Sequence, residues 1–345
     1  MKILLDILHP AHVHFFRNAL TELRQQGYEV VVTARDKDLT LRLLDIYGID
    51  HECISREASS KKGLVWELIS RNAKLAKIVR REKPHVMASI GGISTAQVGF
   101  MTRTRNLIFY DTENAWLSNL LSYPFATAIV TPECYRGKVL GRHVTYAGYH
   151  ELAYLHSRRF TPDPKVLISA GIDPQSVFSV VRFVSWQAMH DIRAEGFPLD
   201  AKRKLIRRLE EYGRVFITSE RPLPDDFQHL NFSLSPDRIH HLLAFAHLYV
   251  GESATMAAES AMLGVPAIYL DRYSRGYIYE LESRYGLCHT YHPAQAEQAI
   301  EKSLKLLSLA EKKQPEYQAR VDSMLAEKID VTAWIIRMLT NPQST

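Results

Sequence analysis

The chain has 345 residues, 46% hydrophobic and 23% charged, with a net charge of +5; this exceeds one ordinary domain, suits two, and is the balance of a soluble α/β protein. Its three cysteines, Cys53, Cys134 and Cys288, are widely spaced with no C-x-x-C, which argues against a disulfide scaffold or a structural zinc and for a reducing compartment. No signal-peptide pattern opens the chain and no run approaches the ~18 apolar residues of a membrane span, so a cytoplasmic protein is expected.

Residues 2–8 (KILLDIL) predict a strand, 10–26 a helix stopped by Gly27, 28–34 a second strand, 38–47 a second helix and 51–55 a weaker third strand. A basic helix is predicted over 62–81, and residues 61–83 hold eight Lys/Arg against Glu67 and Glu82, so the excess charge of the chain lies there. Two readings stand: a solvated helix face, or contact with a polyanionic acceptor or the anionic inner face of a membrane, to which the protein would be peripheral. Nucleic acid is not expected, because no aromatic-interleaved basic motif accompanies the patch.

Further strands are predicted over 85–90, 106–110, 128–130 and 143–146, after which the proline-bearing stretch 148–165 reads as a linker. A second domain resumes with strands over 176–184 and 214–218 around a helix over 200–212, then a helix opened by Ser235 and Pro236. Strands over 248–250 and 267–270 flank a helix over 254–263, and helices over 294–309 and 315–339 close the chain. Strands alternating with helices predict two Rossmann-like, doubly wound parallel sheets facing across a cleft, over residues 1–150 and 165–325, with 326–345 returning towards the first. Ligands of such sheets bind beyond the carboxyl ends of the strands.

Candidate polar groups fall at those ends. Ser253 is a good N-cap, Gly264 a good C′ residue, and the small-residue helix between them offers its free N–H groups and dipole to an anion. Thr255 and Glu259, four residues apart, share one face about one helical pitch long, ~5.4 Å. Arg182 is an odd permanent charge in an apolar strand and would clamp a diphosphate opposite Ala254. His9, His12 and His14 follow the first strand; as a metal site they are weak, since His12 and His14 lie about 200° apart on a helix, and the alternative is phosphate or acceptor contact or acid/base work by residues facing the cleft. Asp111 and Glu113, after the fifth strand, are candidate bases or mere caps. Gly91 and Gly92 would let backbone approach a ligand closely or make a plain turn. Asp36-Lys37-Asp38 is a D-x-D whose place before a helix favours capping. With no G-x-G-x-x-G after the first strand and no G-x-x-x-x-G-K-[ST], NAD and ATP are poor candidates.

The segment GESATMAAESAMLGVP (251–266) resembles the donor site of GT-B fold sugar-nucleotide enzymes, a group that includes many glycosyltransferases and the UDP-N-acetylglucosamine 2-epimerase. The resemblance implies a nucleotide diphosphate, UDP most of all, at Ser253, Ala254 and Thr255, its ribose on Glu259, and Ser219, Glu220 and Arg221 near the base. From MKILLDILHPAHVHFF through YDTENAW to RFVSWQAMHD the chain is similar to the family known as domain of unknown function 354. Against the epimerase pattern Glu113 matches one functional glutamate, but Gly91–Gly92–Ile93–Ser94 replaces an expected aspartate and the next acidic position falls in SNLLSYP. The expected function is therefore transfer of a sugar, without metal or other cofactor, to a hydroxyl acceptor such as a glycan or lipid-linked sugar, with Glu113 or Asp111 as base and His12 assisting. An epimerase or hydrolase using the same donor site is the alternative, followed by a metal-dependent hydrolase or a non-catalytic binding protein.

Overall fold

A computed structural model describes residues 1–113, 116–183, 197–219, 223–273 and 275–341. They divide into two compact units, one made of residues 1–159 with 328–345 and the other of residues 160–327.

The first unit begins β1 (Lys2–Ile7), α1 (Pro10–Gln25), β2 (Glu29–Asp36), α2 (Thr40–Ile46), β3 (Glu52–Arg56) and α3 (Lys61–Glu82). It continues β4 (Val86–Ile90), α4 (Ile93–Thr102), β5 (Arg105–Phe109), α5 (Trp116–Ser122), β6 (Ala128–Pro132), β7 (His143–Tyr146) and α6 (Leu152–Leu155). The second unit holds α7 (Pro164–Ser169), β8 (Phe178–Arg182), α8 (Leu199–Glu210), β9 (Arg214–Thr218), α9 (Ile239–Phe245), β10 (Leu248–Gly251) and α10 (Ala254–Met262). It ends with β11 (Ala267–Leu270), α11 (Gly276–Ser283), β12 (Cys288–Tyr291), α12 (Ala296–Leu307) and α13 (Ala310–Glu327), after which α14 (Val331–Thr340) belongs to the first unit.

Both sheets are parallel throughout, ordered β3-β2-β1-β4-β5-β6-β7 and β12-β11-β10-β8-β9. Helices on both faces explain why the strands read as apolar runs rather than as alternation: β1, β5, β6, β10 and β11 are buried along almost their whole length. The order reverses direction between β1 and β4 in one unit and between β8 and β10 in the other. A crevice opens outside the carboxyl ends of the strands at such a point, so the residues after β1, β4, β8 and β10 are the ones positioned for a ligand.

Under the first of these points lies a buried polar network. Asp6, fully buried on β1, accepts from the Thr33 hydroxyl of β2 (2.6 Å), the Thr95 hydroxyl of α4 (3.1 Å) and the guanidinium of Arg71 on α3, which also bonds Ser55 (2.6 Å). Arg71 thus leaves the basic face of α3 and turns inward. The stretch 148–165 is not a linker along its first half: Tyr149 to Leu155 are buried, and α6 packs against α1 and α14. Arg159 is held by both Asp330 (2.7 Å) and Glu22, tying the two crossings of the chain into the first unit. The second helix starts at Thr40 instead of Asp38, because Asp38 adopts a left-handed backbone (φ 48°) and the cap at Leu39 makes no side-chain bond.

Candidate functional site

In the second unit the reversal point is built by glycine. A Cβ on Gly251 would stand 2.4 Å from the Arg182 carbonyl and 2.5 Å from the Tyr249 hydroxyl, so only glycine lets the ends of β8 and β10 lie side by side. The Glu252 amide donates to that same carbonyl (2.9 Å), which fixes the turn. Ser253 then caps α10, its hydroxyl accepting from the Met256 amide at 3.4 Å. The first amides of a helix have no partner within it, and those of Ala254 and Thr255 begin one residue beyond the cap. Arg182, half-buried at the end of β8, is the cation of this point. A helix start of this kind offers N–H donors and a dipole to an anion, and Arg182 ends the strand beside it.

One turn along α10, Glu259 is buried and its Oε1 lies 2.9 Å from Nε2 of His240 on α9, itself buried. The sequence placed Glu259 on the face of Thr255 and missed the histidine, whose signal was only an imidazole in an amphipathic helix. Glu252 is buried in its carboxylate, which accepts from the Phe197 amide (2.7 Å) and pairs with Lys202 (3.0 Å), a lysine whose pKa burial lowers. It therefore braces the turn. Ser219 follows β9, one strand further out; Glu220 and Arg221 lie outside the described residues.

In the first unit the groups after β1, β4 and β5 gather at the same edge of the sheet. His9 caps α1, its Nδ1 accepting from the Ala11 amide (3.2 Å), while its Nε2 stands 3.7 Å from Asp38. His12 Nδ1 accepts from the Leu8 amide (3.3 Å), which places the proton of the neutral ring on Nε2. Desolvation, then the neighbouring His9 and His150, holds the His12 pKa well below the ordinary imidazole value, against the pull of Asp111. His12 is thus a neutral hydrogen-bond donor at neutral pH. His14 does not join these two: it is buried between Tyr47 and Tyr154, with the Tyr47 hydroxyl 3.4 Å from its Nδ1. Among the described residues no three His, Cys, Asp or Glu side chains are grouped to hold a metal ion, and Asp36 and Asp38 engage Arg56 (2.7 Å) and His9 separately.

Asp111 lies 3.1 Å from Nδ1 of His150 and accepts from the Thr112 hydroxyl (2.9 Å). His150 is buried, packed on Phe15 and stacked parallel to Tyr146, and its Nε2 is buried without a hydrogen-bond partner. This histidine was missed, since it stands 39 residues from its aspartate in a stretch that looked like a connection. Glu113 accepts instead from the Arg136 amide (3.2 Å), outside the histidine cluster. At β4 the backbone of Gly91 is left-handed (φ 56°), which favours glycine, and a Cβ on Gly92 would collide with Ser89 Oγ at 1.9 Å, which requires it; α4 starts there without a side-chain cap.

Residues 1–168 match the family described as protein of unknown function (DUF354). An uncharacterized protein of Methanocaldococcus jannaschii is 24% identical over 278 residues, covering 78% of this chain and 81% of its own. The fold is shared with the UDP-GlcNAc 2-epimerase of Methanocaldococcus jannaschii (TM-score 0.64, 11% identity, 88% of this chain and 93% of that one). It is also shared with the UDP-GlcNAc 2-epimerase of Neisseria meningitidis bound to UDP-GlcNAc (0.66, 12%, 98% and 99%), and with the spinosyn rhamnosyltransferase SpnG complexed with thymidine diphosphate (0.63, 14%, 99% and 100%). The two parallel-sheet units are thus of the GT-B kind, which is the fold of both epimerases and glycosyltransferases.

Proposed function

We propose that the protein binds a nucleotide-diphosphate sugar, of UDP type, at the start of α10 and transfers the sugar to a hydroxyl acceptor without a metal. The observation that carries this reading is the glycine-built junction of β8 and β10, where Arg182 and the Ser253-capped helix meet at a point of strand reversal. Diphosphate oxygens accept from the amides of Ala254 and Thr255 and from Arg182. The ribose hydroxyls donate to Glu259, which His240 holds in place. Solved proteins of this fold carry UDP-GlcNAc or thymidine diphosphate, which supports the ligand class.

The acceptor side belongs to the first unit. Asp111, oriented by His150 and Thr112, is the better base; Glu113 is the other candidate. His12, protonated at Nε2, acts as donor to developing negative charge rather than as a base. His9, Gly91 and Gly92 shape the same edge, while His14 serves packing.

Losing a charge-assisted hydrogen bond of ~1.5–3 kcal/mol weakens binding roughly 10- to 150-fold. Titration calorimetry with UDP-, GDP- and CDP-sugars on the wild type and on Glu259→Ala and Glu259→Gln tests the donor site. If no sugar nucleotide binds, or if both variants bind as wild type, the site is wrongly assigned. Incubation with the sugar nucleotide that binds then separates the reactions: acceptor-dependent UDP release is transfer, whereas free sugar or an epimer formed without acceptor is the hydrolase or epimerase reading.

A further inference from the structure

The basic helix α3 has two unlike halves. A helix of 22 residues spans about 33 Å, whereas the five-residue strand that follows it spans about 16 Å, so α3 outruns the sheet it covers. Its second half carries the packing: Leu75, Ala76, Ile78 and Val79 sit in a core with Leu4, Ile54, Met87 and Val98. The first half begins at the carboxyl edge of the strands, where Glu67 ties one side of it to Arg35 and Ser55 and the opposite side is left uncovered. Yet it is apolar there: Leu64, Val65, Trp66 and Ile69 are exposed, Trp66 at 72%.

The same edge carries a second such face. Helix α5 follows β5 as α3 follows β3, with α4 packed between them, so both begin at the carboxyl edge. Trp116, Leu117 and Leu120 on α5 are exposed, Trp116 again at 72%. Single exposed apolar residues are ordinary on a soluble protein; here each of two helix starts at one sheet edge, either side of α4, exposes a tryptophan together with aliphatic neighbours.

The surrounding charge says what covers this face. Lys61 and Lys62 are the first two residues of α3, next to its Ser60 cap, and Lys74 and Lys77 continue its exposed side. The one acid within the first three turns, Glu67, is bound by Arg35 through both oxygens (2.6 and 2.8 Å) and so does not offset the lysines. Tryptophan seats at the level of lipid headgroups, with lysines around it drawn to anionic lipid. Tryptophan is also enriched at protein interfaces, but lysine is depleted there, and Lys61, Lys62, Lys74 and Lys77 are all exposed on this helix; that combination favours a lipid surface over a protein partner.

We propose that the starts of α3 and α5 dock the first unit on an anionic lipid surface, with Trp66, Ile69, Trp116 and Leu120 entering the headgroup layer and Lys61 and Lys62 at the phosphates. The inference is independent of the donor site.

The test is sedimentation of the full chain with vesicles of 30% phosphatidylglycerol in phosphatidylcholine, and with phosphatidylcholine alone. Binding is expected to the first at low salt, at least tenfold weaker to the second, and reduced by 0.5 M NaCl. Trp66→Ser with Ile69→Ser, and separately Lys61→Glu with Lys62→Glu, are each expected to lower it tenfold or more while circular dichroism stays that of wild type. Trp116→Ser reports the α5 face if the α3 variants fold poorly. Absence of binding to the anionic vesicles overturns the proposal, as does equal binding to both compositions or by all variants. A dimer in sedimentation velocity that Trp66→Ser dissociates also overturns it, by assigning the face to a second copy.

Discussion

The two sheets place their charged residues at different depths. In the first unit charge enters an interior strand itself: Asp6, the next-to-last residue of β1, is wholly buried and, through Thr33, Thr95 and Arg71, joins β2, α4 and α3 to it. In the second unit β10 is Leu, Tyr, Val and Gly, and its charges begin one residue past the strand with Glu252 and continue with Glu259. The first unit therefore separates frame from site, since Asp6 supports the strand from which His9 and His12 follow without itself reaching the edge. The second merges them, because the carboxylates that hold α10 to its neighbours are also the ones beside the proposed ligand.

The sharpest way to break that contrast is to remove one half of the buried pair. Asp6→Ala strands the Arg71 guanidinium, and breaking a buried pair costs about 3–5 kcal/mol. Asp6→Leu with Arg71→Met removes both charges and is expected to regain most of that loss. Urea unfolding followed through Trp334, which packs on Phe109 and Tyr146 within the first unit, reads this directly. A loss under 1 kcal/mol in the single variant would mean that the network does not carry the frame. The same substitutions should leave sugar-nucleotide affinity in the second unit unchanged.

A smaller effect probes the other side of the comparison. Ser253→Ala removes the α10 cap and costs about 1 kcal/mol, whereas Ser253→Gly costs only a few tenths. If cap and ligand seat coincide, the alanine variant loses nucleotide affinity along with stability; if affinity is untouched, Ser253 is a cap and no more.

What was legible in the chain follows from range. Local pattern gave the strand and helix alternation, the cap at Ser253 and the stop at Gly264, because each is decided within a few residues, whereas the close approach of Ser89 that demands glycine at 92 appears only in the structure. The GT-B fold was legible through one contiguous segment, residues 251–266, and through similarity along the chain. Contacts across long sequence distance were not. His150 meets Asp111, and His240 meets Glu259, only once the strands have been ordered; Arg71 could not be told from the lysines around it, since helix periodicity does not reveal a buried aspartate on β1. The helical spacing of His12 and His14 sets them on different faces, but the expectation that His14 lines a cleft with His9 is not met, because it is buried between Tyr47 and Tyr154.

The smallest expected effect tests whether the His12 cluster is a neutral, desolvated site. Its folded pKa lies below the unfolded value of ~6.5, so between those two values the unfolded chain binds more protons than the folded one. Stability then rises with pH across that window and is lost as pH falls through it, with a slope of at most ~1.4 kcal/mol per pH unit for one proton. Above pH 7 the group contributes no slope. His143 and His156 are shifted the same way by desolvation, so the wild-type profile sums several histidines and His12 must be isolated by difference. His12→Gln keeps a side-chain acceptor for the Leu8 amide and removes the titration. Urea midpoints measured from pH 7.5 to 5 are expected to fall less in the variant than in the wild type. Parallel curves would show that His12 titrates alike in both states, and with that its assignment as a neutral donor beside Asp111 would fail.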